Sequence, residues 1–380
     1  MESNQTNYFE SYEDLEIHRL MLEDESRNKA YKDAIMNNKS YLKDKTVMDV
    51  GCGTGILSIF CAQAGAKKVY AVEASNLANL AKEIVKENNF ENVIEVIHSK
   101  VEDVSLPNNI KVDVIVSEWM GFYLLHEGML DSVLVARDKF LKDDGQMFPE
   151  SATIYIAPCS VPTLYQKWDN LHGISMSLFA KHLRESRYNK PEIMHIQSKD
   201  LLASETALCW INLKEDTASD LDSYSIQHVA AISKNGSYQG LCVWFKCTFP
   251  NITNDGDASQ VRLDTSPNSL PTHWKQAVIV LPQAQEVEEG EPIAFQLDMI
   301  RDQLDKRRYN LELTLLDPEV VEHPLPCTCH MTKCILTKAV LEQHAEKTIV
   351  EVNSNSQKDS ILIEEDIDDE DSSSSIYGED

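Results

Sequence analysis

The 380-residue chain contains no run of about 18 apolar residues, and so offers no candidate for a membrane-spanning helix. Basic residues are scarce: 35 Lys and Arg stand against 62 Asp and Glu, a formal net charge of -27. A surface of that sign repels nucleic-acid phosphates and anionic membranes, so neither is expected as a direct partner, and it attracts basic ones. Residues 342–380 carry 13 acids and 2 bases, yet the remainder still stands at -16. The nine cysteines form no regular disulfide framework. The opening MESNQTNYF lacks the basic start and apolar stretch of a secretory signal, and residue 2 is Glu where myristoylation requires Gly. A cytoplasmic or nuclear protein is expected. One stretch, CTCHMTKC, gathers Cys327, Cys329, His330 and Cys334. Its spacing fits none of the common zinc patterns, so reduced structural thiols are expected there and no metal is assigned.

What is present divides the chain into segments. Residues 1–40 read as a helical lid, with no Gly or Pro before Gly51. From 41 to 148, short apolar strands (TVMDV, VYAVEAS, NVIEVIHS, KVDVIVSE) alternate with helices such as ILSIFCAQAG. That alternation predicts an open α/β domain with a mostly parallel sheet, whose ligands sit beyond the carboxyl ends of the strands. From 149 to 340 the segments ATIYIAP, GLCVWFKCTF, WKQAVIVL, PIAFQLDM and YNLELTLLD, separated by turn residues, predict an antiparallel barrel or sandwich. Between about 163 and 190 a helix-like stretch carrying Tyr165, Trp168, Leu171, Met176, Leu178 and Phe179 interrupts this rhythm. It is too apolar for a solvated excursion and is expected to meet a partner. Residues 341–380 read as a disordered acidic tail, in which Ile361, Leu362 and Ile363 could add a strand to another protein's sheet edge.

The turn GCGTG follows the first strand, with Gly51 and Gly53 where backbone must approach a ligand. Glu73 lies 22 residues beyond Gly51 at the end of the second strand, placed to accept ribose hydroxyls. The pattern is GxGxG, not GxGxxG, and no second dinucleotide half follows, so a single nucleoside fits better. Asp49, just ahead of the glycines, would repel a phosphate and suits a cationic or amino-bearing ligand. S-adenosylmethionine has adenosine, a sulfonium and an amino acid end, which answers both features. Glu102 in SKVEDV is placed for the adenine edge. In SEWMGFYLLHEGML, Glu118 and Glu127 stand nine residues apart among apolar neighbours, where ionised carboxylates are costly unless a cation meets them.

From YFESY through IHRLMLEDESR, DVGCGTGILSIFCAQAGAKKVYAVEAS, SEWMGFYLLHEGML and ARDKFL to THWKQ, the chain resembles the protein arginine N-methyltransferases, and among them the type I group that makes asymmetric dimethylarginine. The likeness runs from Tyr8 to about Asp317. It implies a Rossmann-like methyltransferase domain followed by an antiparallel β-barrel with a helical arm at 163–190 that forms a homodimer. It also implies that His18, Arg27, Gly51, Glu73 and Glu102 contact the methyl donor, with Arg27 on its carboxylate. Glu118 and Glu127 then match the paired glutamates that hold the substrate guanidinium, His273 and Trp274 of THW line the substrate channel, and Asp24 pairs with His273. Met21 and Met129 match residues that limit how many methyls are added. Basic substrates such as Arg/Gly-rich segments and histone tails follow from the family. A small-molecule or nucleic-acid methyltransferase, which would lack the paired acids, and a non-catalytic binding protein are the rival readings.

Overall fold

The computed structural model describes residues 14–186, 190–252 and 260–343. The expected acidic tail, with Ile361–Ile363, lies outside the described residues. The described residues fall into two compact units, divided between Pro324 and Leu325. The last described strand ends at Leu316, ahead of residue 340, to which the sequence reading extended the second domain. No described helix is long and apolar enough to cross a membrane.

The first unit begins with α1 (Leu15–Glu23), α2 (Glu25–Asn37) and the single turn α3 (Lys39–Leu42). Asp24 both ends α1 and caps α2, its carboxylate accepting from Arg27 N at 2.9 Å. This cap breaks the expected lid into two parts with different roles. On α2, Tyr31, Ala34 and Ile35 are fully buried, so that helix belongs to the core, whereas α1 leaves Leu15, Leu20 and Leu22 exposed.

β1 (Thr46–Val50), α4 (Ile56–Gln63), β2 (Lys68–Glu73), α5 (Leu77–Glu87), β3 (Ile94–His98), β4 (Val112–Val116), α6 (Leu130–Phe140) and β5 (Leu141–Phe148) complete the α/β domain. The sheet is wholly parallel in the order β3-β2-β1-β4-β5. Chain order reverses between β1 and β4, and the crevice there is where an open parallel sheet takes a ligand. The carboxyl ends of the two strands are tied together, Ser117 Oγ just after β4 donating to the carbonyl of Val50, the last residue of β1, at 2.7 Å. β5 had no strand signal in its LKDDGQMF sequence; it is a sheet edge, whose polar residues face solvent while Met147 and Phe148 are buried.

Beyond Pro149 the chain turns antiparallel. β6 (Ser151–Cys159), β7 (Glu192–Met194), β8 (Thr206–Asn212), β10 (Gly236–Thr248), β11 (Arg262–Asp264) and β12 (Gln276–Val287) form one sheet, ordered β7-β12-β10-β6-β8 with β11 on β10. β9 (Ser223–Ala231), β13 (Pro292–Arg301) and β14 (Tyr309–Leu316) form a second. Among the described residues these ladders do not join into one closed ring. The central strand β10 is buried on both faces from Ser237 to Phe245, which is why its GLCVWF run does not alternate. Between β6 and β7 lies α7 (Ser177–Glu185), whose Leu178 and Phe179 are 69% and 53% exposed.

Candidate active site

The crevice at the order reversal opens into a cavity of about 600 Å³. Its wall includes Gly51 and Gly53 after β1, Glu73 at the end of β2, Glu102 after β3, Glu118 after β4, Glu127 and Met129 before α6, and His18, Met21 and Arg27 from the N-terminal helices. His273 and Trp274, from the segment leading into β12, close another side. Residues scattered over more than 250 positions thus face one space. Asp24 stands behind His273, while Asp49 departs from expectation.

Asp49 is fully buried in the middle of the sheet, paired with Ala71 and Val116, and is not part of the cavity wall. Its Oδ2 accepts from Ser58 Oγ at 2.6 Å, and burial pushes its carboxyl up to about 7. Asp49 thus lies off the cavity wall, whereas the sequence reading had placed it against the ligand, and it braces the start of α4 beneath the glycine turn.

The turn itself is built for close approach. Gly51, Gly53 and Gly55 all have positive φ, and a Cβ on Gly51 would lie 2.2 Å from Met129 Cε. Glu73 fastens the turn from below: Oε2 accepts from Gly53 N at 3.0 Å, and Oε1 from Ser75 N and Oγ at 2.8 and 2.7 Å. Oε2 keeps a second lone pair for a ligand hydroxyl. The opposite rim is Glu102, which accepts from Ser132 Oγ at 2.6 Å. An adenosine-bearing donor fits this set: backbone without side chains at the floor, and carboxylate oxygens at two edges.

The loop 117–130 carries the two glutamates. Tyr123, Leu124, Glu127 and Gly128 have φ of 42°, 75°, 80° and 61°, three of them in non-glycine residues, which is strain that the surroundings must impose. Two clamps impose it. Glu127 N donates to Arg307 O at 2.7 Å while Arg307 Nη1 donates to Glu127 O at 2.6 Å, and Trp274 Nε1 donates to Met120 O at 2.8 Å. Gly121 admits no side chain, since a Cβ would fall 1.9 Å from His126 O.

Glu118 already has a cation. Arg27 Nε and Nη2 both donate to its Oε2, at 3.0 and 2.8 Å, and both side chains are nearly sealed from solvent. Arg27 Nη1 donates to Asn28 Oδ1 at 2.8 Å. Three of the five guanidinium N–H groups are thereby engaged, and two remain for a donor carboxylate. On the other oxygen, Glu118 Oε1 receives only a long bond from Met120 N, at 3.3 Å, and retains capacity for a substrate. Across the cavity His273 donates its backbone N–H to Asp24 Oδ2 at 2.8 Å and sets Nδ1 2.7 Å from the same oxygen.

Sequence reasoning missed Arg307. It lies in the basic run DKRRY, where nothing marks one Arg as a loop clamp. The wall is also less acidic than the chain: Glu73, Glu102, Glu118 and Glu127 are matched by Arg27, Lys100, Lys275 and Arg307.

A nucleoside cradle at the reversal of a parallel sheet, with a carboxylate pair beside it, defines an S-adenosylmethionine-dependent methyltransferase, and residues 34–127 match the family model of the ribosomal protein L11 methyltransferase. Residues 150–316 match the arginine methyltransferase oligomerization subdomain. The chain is 36% identical over 339 residues to the probable protein arginine N-methyltransferase 6 of Arabidopsis thaliana, covering 80% of this chain and 78% of the relative. It is 37% identical over 313 residues to human protein arginine N-methyltransferase 2, covering 81% and 71%. Among solved structures, the Trypanosoma brucei PRMT1 enzyme-prozyme heterotetrameric complex with AdoHcy superposes with a TM-score of 0.72 at 34% identity, over 83% of this chain and 98% of that one. The chain belongs to the protein arginine N-methyltransferases, and its activity is S-adenosylmethionine-dependent methylation of arginine.

Proposed function

We propose that this chain is a type I enzyme, making mono- and asymmetric dimethylarginine in flexible basic protein segments such as Arg/Gly-rich stretches and histone tails. The observation that carries this reading is that Glu118, Glu127, Met21 and Met129 share one wall with the Gly51–Gly53 cradle. S-adenosylmethionine supplies an electrophilic methyl group on its sulfonium. Arginine is permanently protonated and its charge is spread over a plane, so its nitrogens are poor nucleophiles. Glu118 and Glu127 hold that plane and bias electron density toward one Nη, which forms its bond to carbon as the carbon–sulfur bond breaks. The methylated guanidinium sheds a proton, for which Glu127 and the His273–Asp24 pair are the candidate acceptors. Flexible Met21 and Met129 leave room for a second methyl on the same nitrogen. Because the wall itself balances four carboxylates with four cations, the preference for basic peptides is assigned to the outer surface and its long-range field.

Mass spectrometry of an Arg/Gly-rich peptide incubated with enzyme and donor tests the product. Mono- followed by asymmetric dimethylarginine is expected, and symmetric dimethylarginine, or no transfer, overturns the assignment. Homodimerisation through the arm is part of the same proposal, supported by the exposed Leu178 and Phe179 on α7 and by the name of the matching subdomain. Phe179→Asp is expected to shift the protein to monomer in light scattering; an unchanged mass removes α7 from the interface. Nine buried, unbridged cysteines favour a reducing compartment, cytosol or nucleus, as the place of work.

A further inference from the structure

The described part of the second unit, residues 325–343, inverts the usual rule of burial. Leu325, Ile335, Leu336, Val340 and Leu341 are exposed, and the residues withdrawn from solvent are Cys327, Cys329 and Cys334. So small a segment with no apolar interior has nothing of ordinary kind to hold its three thiols together. Yet their Sγ atoms all lie within 4.8 Å of one another, and the Cys334 thiol shares hydrogen bonds with those of Cys327 and Cys329. Tetrahedral zinc with sulfur at about 2.3 Å separates its thiolates by about 3.8 Å, within the same range.

The geometry points to a structural zinc site formed by Cys327, Cys329 and Cys334, with His323, four residues ahead of Cys327, as the fourth ligand. His323 Nε2 lies 2.9 Å from the carbonyl of Pro318. Donation there fixes the tautomer with the lone pair on Nδ1, the arrangement that metal-bound imidazoles adopt. Cys334 sits in the first turn of α8 (332–343). Three thiolates and one imidazole are a soft, four-coordinate set that selects zinc over oxygen-preferring cations. A disulfide would use two of the thiols and strand the third. Binding displaces the three thiol protons, so occupancy rises with pH. Sequence spacing had suggested His330 as the nearby imidazole and had read the cysteines as structural thiols; the ligand group instead reaches upstream to His323.

The test is metal analysis of the full-length protein purified without added zinc. About one zinc per chain is expected, falling below about a tenth in Cys329→Ser and staying unchanged in His330→Ala. Replacing zinc by cobalt should give thiolate-to-cobalt charge-transfer absorption and a tetrahedral visible spectrum, which decides the matter even where Cys329→Ser fails to fold. Metal-free protein with nine titratable thiols, a disulfide among the three cysteines, zinc retained in Cys329→Ser or lost in His330→Ala, or a cobalt spectrum without thiolate bands would each overturn the site.

Discussion

Glu118→Gln is expected to lower turnover by about 10² or more while leaving donor binding measurable, because in the proposed mechanism one of the two charges that hold the substrate guanidinium disappears without a change of shape. The same substitution has a second consequence. Arg27 and Glu118 are both nearly sealed from solvent, and removing one partner from a buried pair costs about 3–5 kcal/mol when the other charge is left uncompensated. Glutamine keeps an oxygen for Arg27, so the measured loss should fall toward the lower end of that range. A fall in activity could then be blamed on instability. The double variant Arg27→Gln/Glu118→Gln separates the two effects, since it neutralises both sides: unfolding midpoints should recover toward wild type, whereas turnover per folded molecule should stay low. Near-normal turnover in folded Glu118→Gln protein would remove the carboxylate from the reaction.

The parts of this site that were legible in sequence are those fixed by local pattern. TVMDV is β1 residue for residue, and the glycines that follow it, with Glu73 at the end of β2, occupy the strand ends to which the alternation of strands and helices assigned them. Where sequence reading failed, the cause lies in contacts between distant segments. The Arg27–Glu118 pair joins residues 91 apart, and the Arg307–Glu127 clamp joins residues 180 apart. Periodicity carries no information about either. Asp49 misled because its position beside the glycines suggested a ligand, while the strand's alternation turns its side chain into the protein, toward Ser58. β5 was missed because an edge strand needs few apolar residues.

Asp24→Asn should show how much of the site's geometry is held by a residue that is not on its wall. Asp24 Oδ1 accepts from Arg27 N, and Oδ2 lies within hydrogen-bond distance of both His273 N and His273 Nδ1. One buried carboxylate therefore caps α2 beside Arg27 and tethers His273, across 249 positions of chain. Burial alone would raise its pKa, but the hydrogen bonds from His273 and from Arg27 N outweigh that and hold it below the usual carboxylate value. An amide has one acceptor oxygen, so in Asp24→Asn its N–H groups must face either the helix terminus or His273. The expected cost is about 2–4 kcal/mol, a lost cap together with a buried donor left unsatisfied. The sign of its pH dependence follows from the lowered pKa. The carboxylate's contribution is complete above the ordinary carboxylate range and is lost as pH falls through the folded-state value. Denaturant midpoints should thus favour the wild type by a constant margin from neutral pH down to about pH 5, and the margin should close below about pH 4. Turnover should fall by about 10-fold at neutral pH as His273 loses its tether. A margin that stays the same through the acid range would mean that Asp24 is neutral in the fold, and that a charged acceptor is not what joins α2 to the segment carrying His273.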